Sequence, residues 1–522
     1  PTRPIIAEGD NRLLPKERTE VESRHYNIDG TIAQWDRAVP LVFGEHGGWW
    51  YICPQNASPY SGLSAYRGTD ESTLGLSKKE RLFVEYARRR GVSGISTFNF
   101  AHYFMRAMPE EDVMLSSGGT AAVPAAPVAR FDRIPAYSLT INNGLLPEEY
   151  PAYRPNPAFA VMAAAFKAAT IIPSEYNRSF YDDEPIRRRF DVYNDTLRAR
   201  EVAIECRIVQ EGRVVCEETF RFRQEPAERR TLELVWTPEK AESRRAKAAL
   251  SAVLKHGGET VHELNVDYSI YSASLKSEPL PMAGPVAFAG GDSDYEIVRA
   301  LAPACERIGE PDIANLGGGS VLIVGSGRSD PDGSLERRLQ RFVASGGRLL
   351  LLEQRQLSLG KLALSRRGFM RAHAGSYAHP VLEGLGDDDL MFWHEDSGEE
   401  GPDPIIGAAF FKPVTGDYSM LLECGAGDFG DGGDLWTPLL EYRSGPGMFL
   451  ANQLDVMSNA DRVPQAMLLL RNMLAYVGSA AKSMPSSTSA SAPTAKTAVY
   501  AEPGGESERF LARLTLAYDA IS

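Results

Sequence analysis

Residues 40–47 read Pro40-Leu41-Val42-Phe43-Gly44-Glu45-His46-Gly47, an apolar run that ends in glycine, a carboxylate and an imidazole. A short strand that turns polar at its C-terminal end is the pattern of a parallel β/α sheet, whose strand ends carry the chemistry. The same pattern recurs on both sides. Pro4-Ile5-Ile6-Ala7-Glu8 and Val21 to Tyr26 precede it, and Val92 to Phe98 follows. A helix is expected at about 78–90, where Ser77 can cap, Glu80 can reach back, and Leu82, Phe83, Tyr86 and Ala87 share one face. These units fill residues 1–110, and a closed (β/α)8 barrel needs roughly 250 residues. The expectation is the C-terminal half of a TIM barrel.

Residues 111–175 are rich in Ala, Pro and Gly and read as a linker or packing segment with one helix, Ala158 to Ala169. From 176 to 275 the period changes to two. Arg189 to Tyr193, Val202 to Val209, Arg213 to Phe222 and Thr231 to Trp236 alternate as short strands, the pattern of an immunoglobulin-like β-sandwich. Cys206 and Cys216 lie on the hairpin around Gln210-Glu211-Gly212, and the unsettled length of its turn leaves a disulfide open. Residues 284–477 return to βαβ. Strands are expected at Val286–Ala289, Val321–Val324 and Arg348–Leu352, and helices at Tyr295–Ile308, Leu335–Ala344 and Pro464–Val477. Residues 478–496 are a low-complexity flexible linker, and 497–522 read as the start of a further α/β domain or as a docking tail. The fold class is thus multidomain α/β and β: a partial (β/α)8 barrel, an immunoglobulin-like β-sandwich and a flavodoxin-like α/β domain.

Composition excludes several function classes. The chain has 522 residues, 43% hydrophobic and 24% charged, enough for three or four domains with cores. A net charge of −13 argues against nucleic acid or an anionic membrane as partner. The longest apolar stretch, Phe159 to Ile172, is interrupted by Lys167 and too short for a membrane span. Five cysteines include no C-x-x-C pair, and eight histidines include no H-E-x-x-H, so no metal site is expected. The turn Gly325-Ser326-Gly327 would need a third glycine where Asp330 stands, which argues against a dinucleotide, and no cofactor is expected. The sequence begins at Pro1 without a signal-peptide pattern, is read as cut at both ends, and leaves the compartment open.

Glu45 is the strongest candidate for chemistry. A carboxylate at the end of a barrel strand faces the active-site mouth, and Trp49, Trp50 and Tyr51 beyond it offer aromatic faces for sugar rings. Alternatively, Glu45 pairs with a basic residue at the rim and the tryptophans are core. The runs RPIIAEGD, RHYNI, PLVFGEHGGWW and VSGISTFNF resemble the second half of the catalytic barrel of family 2 glycoside hydrolases, the β-galactosidase-like enzymes. RRRFDVYNDT resembles the immunoglobulin-like domain beside that barrel, and the likeness covers about residues 1–275.

This resemblance implies a retaining exo-glycosidase acting on a glycoside or oligosaccharide. Glu45 would be the nucleophile, Tyr26 would hydrogen-bond its carboxylate, and His25 and Asn27 would approach sugar hydroxyls. Phe98-Asn99 stands where the family usually carries tryptophan, so the sugar platform is expected to differ, with Asn99 a candidate for substrate binding. The family's acid/base follows an asparagine, and no Asn-Glu dipeptide occurs in the 522 residues. Glu8 and Asp10 end a nearby run but are not assigned proton transfer. The acid/base is therefore expected upstream, and this chain alone is expected to be inactive. The competing expectation is a non-catalytic carbohydrate-binding or scaffolding protein on a degenerate hydrolase fold.

FVASGGRLLLLEQ and the segment from Leu450 to Val477 resemble the class I glutamine-amidotransferase-like fold. The turn after its central strand carries Glu353-Gln354 and no cysteine; Cys305, placed on the helix, and Cys424 lie elsewhere. A structural or oligomerising role, as in a homo-oligomer, is the reading preferred. The run Asp387-Asp388-Asp389 is expected to be a helix start or a solvated loop.

Overall fold

The computed structural model describes residues 20–26, 31–47, 51–52, 54–66, 69–97, 104–105, 133–134, 137–138, 154–155, 157–356, 362–395, 397–398, 401–413, 418–428, 432–479, 498–499 and 519–520. The expected strand Pro4 to Glu8, Asp10, Asn27, Trp49, Trp50, Asn99, most of the 111–156 segment and the 480–496 linker lie outside these residues. The chain divides into two units, Pro1–Gly478 and Ser479–Ser522. In the second, Ala498–Val499 pairs in parallel with Asp519–Ala520.

Strands β1 (Glu22–His25), β2 (Leu41–His46) and β3 (Gly94–Thr97) form a parallel sheet with β2 in the middle. The apolar residues of β2 explain its place. Leu41 and Phe43 are buried with Ile32, Phe83, Tyr86 and Ala87, and Phe43 meets Phe83 edge-on at 5.3 Å. Burying each of the leucine, isoleucine and phenylalanine side chains contributes about 1.5–3 kcal/mol.

Helix α1 (Pro54–Ser61) precedes α2 (Thr69–Arg90), which covers the sheet. Helix α2 starts well before the expected residue 78. Asp70 and Glu71 complement its N-terminal dipole, and Arg88, Arg89 and Arg90 its C-terminal one. Ser77 therefore caps nothing; its hydroxyl donates to the Leu74 carbonyl inside the helix. Gly75 sits in the helix interior because α1 crosses there: a Cβ would lie 2.8 Å from the Ala57 carbonyl oxygen.

Helix α3 (Pro157–Ala165) ends sooner than expected, because Ala169–Pro173 is a strand, β4. It pairs antiparallel with the strand Ile186–Asn194, so the sandwich begins inside the segment read as linker. The sandwich continues with β5 (Ser179–Tyr181), β6 (Ile186–Asn194), β7 (Arg200–Gln210), β8 (Arg213–Gln224), β9 (Glu228–Trp236), β10 (Arg245–His256) and β11 (Glu259–Tyr271). One sheet runs β5-β11-β10-β7-β8 and the other β9-β6-β4. Their inner faces share one core, including Phe190, Ile204, Ile208, Leu234, Trp236 and Leu250.

The β7–β8 hairpin turns on two residues, Glu211 and Gly212, both at positive φ (47° and 79°), the geometry of a tight hairpin turn. This settles the cysteine question. Cys206 pairs with Glu218, and Cys216 with Ile208, so the two thiols are not opposed and both are free.

The α/β body is built on β12 (Val286–Ala289), β13 (Cys305–Arg307), β14 (Val321–Val324), β15 (Arg348–Leu351) and β20 (Gly447–Asn452). These five are parallel, in the order β13-β12-β14-β15-β20. On the far side of β20 the sheet turns antiparallel through β19 (Gly432–Ser444), which also pairs β18 (Tyr418–Asp428) and β17 (Ala409–Phe411); β17 in turn pairs β16 (Leu364–Ser365).

Helices α4 (Asp292–Leu301), α5 (Ser334–Ala344) and α6 (Pro464–Gly478) cover the sheet, whose strands contribute to a core on each face. Helix α4 stops at Leu301 rather than reaching Ile308, since Pro303 cannot continue a helix. Cys305 consequently lies on a strand.

Asp387–Leu390 is a short 3-10 helix, but its acidic run is not simply solvated. Asp389 is 3% exposed and accepts a forked pair of hydrogen bonds from Arg245 on β10, at 2.8 and 2.9 Å, and one from Tyr271 at 3.2 Å. A bidentate guanidinium–carboxylate contact ties the sandwich to the α/β body. Asp389→Asn is expected to destabilise the chain by about 2–3 kcal/mol, read as a lowered midpoint in thermal unfolding.

Candidate functional site

The C-terminal ends of β1 and β2 bring three of the candidate residues together. The β1–β2 register shifts between Arg24 and His25, so that His25 pairs with Glu45 and skips Gly44. Tyr26 then takes a left-handed conformation (φ 59°), and its N–H donates to the Glu45 carbonyl at 2.8 Å. This local kink turns the Tyr26 ring over the strand end. The Tyr26 hydroxyl donates to Glu45 Oε1 at 2.7 Å, and His25 Nδ1 lies 3.3 Å from Glu45 Oε2. One carboxylate oxygen is thus hydrogen-bonded and the other faces an imidazole, while the Glu45 side chain keeps 22% of its surface open.

A non-glycine residue at positive φ is uncommon and costs about 1–3 kcal/mol, so the surroundings must hold Tyr26 there. Burial, with the Glu45 carboxylate beside it, pushes the Tyr26 phenol well above its ordinary range. It stays a hydrogen-bond donor across the neutral range. A carboxylate fixed by a tyrosine hydroxyl, with an imidazole beside it and part of its surface open, is oriented and reachable, which is what nucleophilic attack requires.

His46, the next residue, does different work. It is buried, its Nδ1 faces both Glu80 oxygens at 2.8 and 2.9 Å, and its ring stacks on Phe83 with 2° between planes. Glu80 from α2 therefore anchors the end of β2. Reading Glu80 as a capping residue missed this. Its signal was the spacing: Glu80, Phe83 and Ala87 fall on one helix face, and an acid on an apolar face needs a buried partner. The other residues proposed for sugar contact, Asn27, Trp49, Trp50 and Asn99, lie outside the described residues.

The two cysteines of the α/β body, Cys305 and Cys424, are buried, and neither lies on the turn after β15. Burial pushes the Cys305 thiol up to about 12 and that of Cys424 well above its ordinary value. Asp330, which stands where a nucleotide-binding glycine would be required, accepts the N–H groups of Leu335 and Glu336 at 3.0 and 2.7 Å and so occupies the N-terminus of α5. Among the described residues, no group of three or more His, Cys, Asp or Glu is placed to hold a metal ion, and no helix is long and apolar enough to cross a membrane.

No protein-family description matches the sequence, and no curated relative matches it. Among solved structures, a β-glucuronidase from glycoside hydrolase family 2 aligns at 10% identity over 37% of this chain and 21% of its own, with a TM-score of 0.17. The Pseudomonas fluorescens alkylpurine DNA glycosylase AlkC aligns at 12% identity over 22% and 34%, with a TM-score of 0.16. The CARDB domain of PF1109 from Pyrococcus furiosus aligns at 13% identity over 20% and 94%, with a TM-score of 0.16. This chain thus spans about a third of the glycosylase and a fifth of the glucuronidase. Superpositions this partial carry no argument about function, which rests on the strand-end geometry.

Proposed function

We propose that the chain is the nucleophile-bearing part of a retaining exo-acting glycoside hydrolase of β-galactosidase type. The supporting observation is the Tyr26–Glu45–His25 cluster at the C-terminal ends of parallel strands. In this reading Glu45 attacks the anomeric carbon, the glycosidic C–O bond breaks, and a covalent glycosyl-enzyme forms. Water then releases the sugar with its original configuration. The proton for the leaving oxygen comes from a second carboxyl outside the 522 residues. Tyr26 fixes one carboxylate oxygen, and His25 stands beside the other.

The test is the stereochemistry of an aryl β-glycoside hydrolysed by the full-length protein and followed by proton NMR. The β-anomer is expected first; first appearance of the α-anomer would contradict a Glu45 nucleophile. Tyr26→Phe removes one hydrogen bond to a charged acceptor, worth about 1.5–3 kcal/mol. The glycosylation rate, measured by rapid mixing, is expected to fall by about 10–100-fold. An unchanged rate would remove Tyr26 from the mechanism.

The missing Asn-Glu pair favours a second reading, a carbohydrate-binding module on a hydrolase fold. That reading expects sugar binding without turnover even in the full-length protein.

A further inference from the structure

The parallel strands of the α/β body run in the chain order 2-1-3-4-5, so the order in which the chain adds strands reverses between β12 and β14. Crevices form at such a reversal, outside the carboxyl ends of the strands. Gly290 and Gly325, which follow those two strands, approach so closely that a Cβ on Gly290 would sit 2.9 Å from the Gly325 Cα. Beside them opens a cleft of about 920 Å³. It is lined from four strand ends: Asp294 after β12, Ser326 after β14, Glu353 after β15, and Gln453 and Asp455 after β20.

The polar groups of this cleft are incompletely matched. Gln453 is 1% exposed; its Oε1 accepts the Gln354 N–H at 2.8 Å, but its Nε2 has no hydrogen-bond partner. A buried amide donor left alone costs about 1–3 kcal/mol, so this one calls for an acceptor from a ligand. Asp294, which already accepts the Ser326 N–H and the Ser293 hydroxyl, and Asp455, which accepts the Gly407 N–H, keep further lone pairs on the same walls for a ligand's donors. A hydroxyl group is both donor and acceptor.

Charge narrows the ligand further. Asp294 Oδ2 accepts the Ser326 N–H at 2.7 Å, which takes the place a phosphate would occupy at this turn. Exposed Arg355 and Arg366 on the rim offset Asp294 and Asp455. Burial pushes the Glu353 carboxyl up to about 8 and that of Asp455 above its ordinary range, which lowers the negative charge these walls carry near neutral pH. The Glu353 oxygens already accept from Met457 N–H at 2.6 Å and Asn452 Nδ2 at 3.4 Å.

We propose that this cleft binds a neutral polyhydroxylated small molecule, a saccharide or polyol, through Asp294, Asp455 and the Gln453 amide. The site is separate from Glu45 and stands whether or not Glu45 is a nucleophile.

The experiment is calorimetric titration of the 522-residue chain with glucose, galactose and sorbitol, and with gluconate and glucosamine as charged counterparts. At least one neutral probe is expected to saturate one site with a Kd below about 10 mM, a range ordinary for small hydrogen-bonded ligands. The charged counterparts are expected to bind at least about tenfold more weakly. Gly407 borders the cleft, and its Cβ position makes only an ordinary 3.6 Å contact with Asp455, so Gly407→Leu fills the cleft without forcing the backbone. Gly407→Leu and the isosteric Asp455→Asn are each expected to weaken binding by about tenfold or more at an unchanged melting temperature. If the leucine variant unfolds, Asp455→Asn decides alone. Glu45→Gln is expected to leave the titration unchanged. No binding of any neutral probe, binding that survives the cleft variants, binding lost with Glu45→Gln, or equal binding of a charged probe would each overturn the proposal.

Discussion

Glu45→Gln is expected to abolish turnover by the full-length protein while leaving its melting temperature within about 1 °C. The amide is isosteric with the carboxylate. It keeps an oxygen for the Tyr26 hydroxyl, and the side chain is open enough that no buried charge is stranded. What it loses is the nucleophile. An amide does not form a stable acyl-acetal linkage to the anomeric carbon, and the effect of removing a nucleophile is on the order of 10⁴-fold or more in kcat. Steady-state hydrolysis of an aryl glycoside, with KM measured alongside, checks this. A fall confined to kcat fits a group acting in the transition state. A rise in KM alone would make Glu45 a binding residue, as the carbohydrate-module reading requires.

Lys412→Met is expected to cause the largest loss of stability. Lys412 follows β17 and Glu423 lies on β18; their side chains are 3% and 1% exposed, with Nζ 2.6 Å from Oε1. Removing the ammonium leaves a carboxyl alone in the core, a change that costs about 3–5 kcal/mol.

The pH dependence has a definite sign. Even with Lys412 present, burial pushes Glu423 up to about 7, outweighing the attraction of Lys412. Because the folded protein then holds a proton that the unfolded chain releases above its ordinary carboxyl range, this group's contribution declines as pH rises from about 4.5 to 7. Without Lys412 the folded carboxyl holds its proton to still higher pH. The penalty of Lys412→Met is therefore expected to be greater at pH 8 than at pH 5.5, where Glu423 can protonate at little cost. Urea unfolding at both values measures it. Lys412→Met combined with Glu423→Met, which removes both charges, is expected to recover most of the loss. A single variant as stable at pH 8 as at pH 5.5 would contradict this account.

The parts of the fold legible in the sequence are those set by local pattern. Val286–Ala289 and Val321–Val324 are apolar throughout, and Arg348–Leu351 is apolar after its first residue, because the sheet buries both their faces, and that signal survives without context. The Glu211-Gly212 turn and Ser345-Gly346-Gly347 after α5 are likewise local. Elements decided by distant partners were not legible. Gly75 weakens the helical pattern before residue 78, and only the crossing of α1 explains it. The antiparallel strands Tyr418–Asp428 and Gly432–Ser444 carry glycines that obscure their period, and they are held by one another and by β20.

The site divides in the same way. Glu45 stood out by its position at the end of an apolar strand. The register shift that presents His25, and the left-handed Tyr26 that places a phenol over the carboxylate, arise from two strands in contact. Glu80 and Asp389 are acids whose buried roles depend on His46 and Arg245, 34 and 144 residues away in sequence. The cleft beside Gln453 is assembled from four strand ends and has no local signature.

The most direct test of the central claim is covalent trapping. The full-length protein, incubated with a 2-deoxy-2-fluoro glycoside bearing an activated leaving group, is expected to gain one sugar per chain by intact mass spectrometry. Peptide mapping is expected to place it on Glu45. A sugar attached to any other residue, or one that still attaches to the Glu45→Gln variant, would contradict the account.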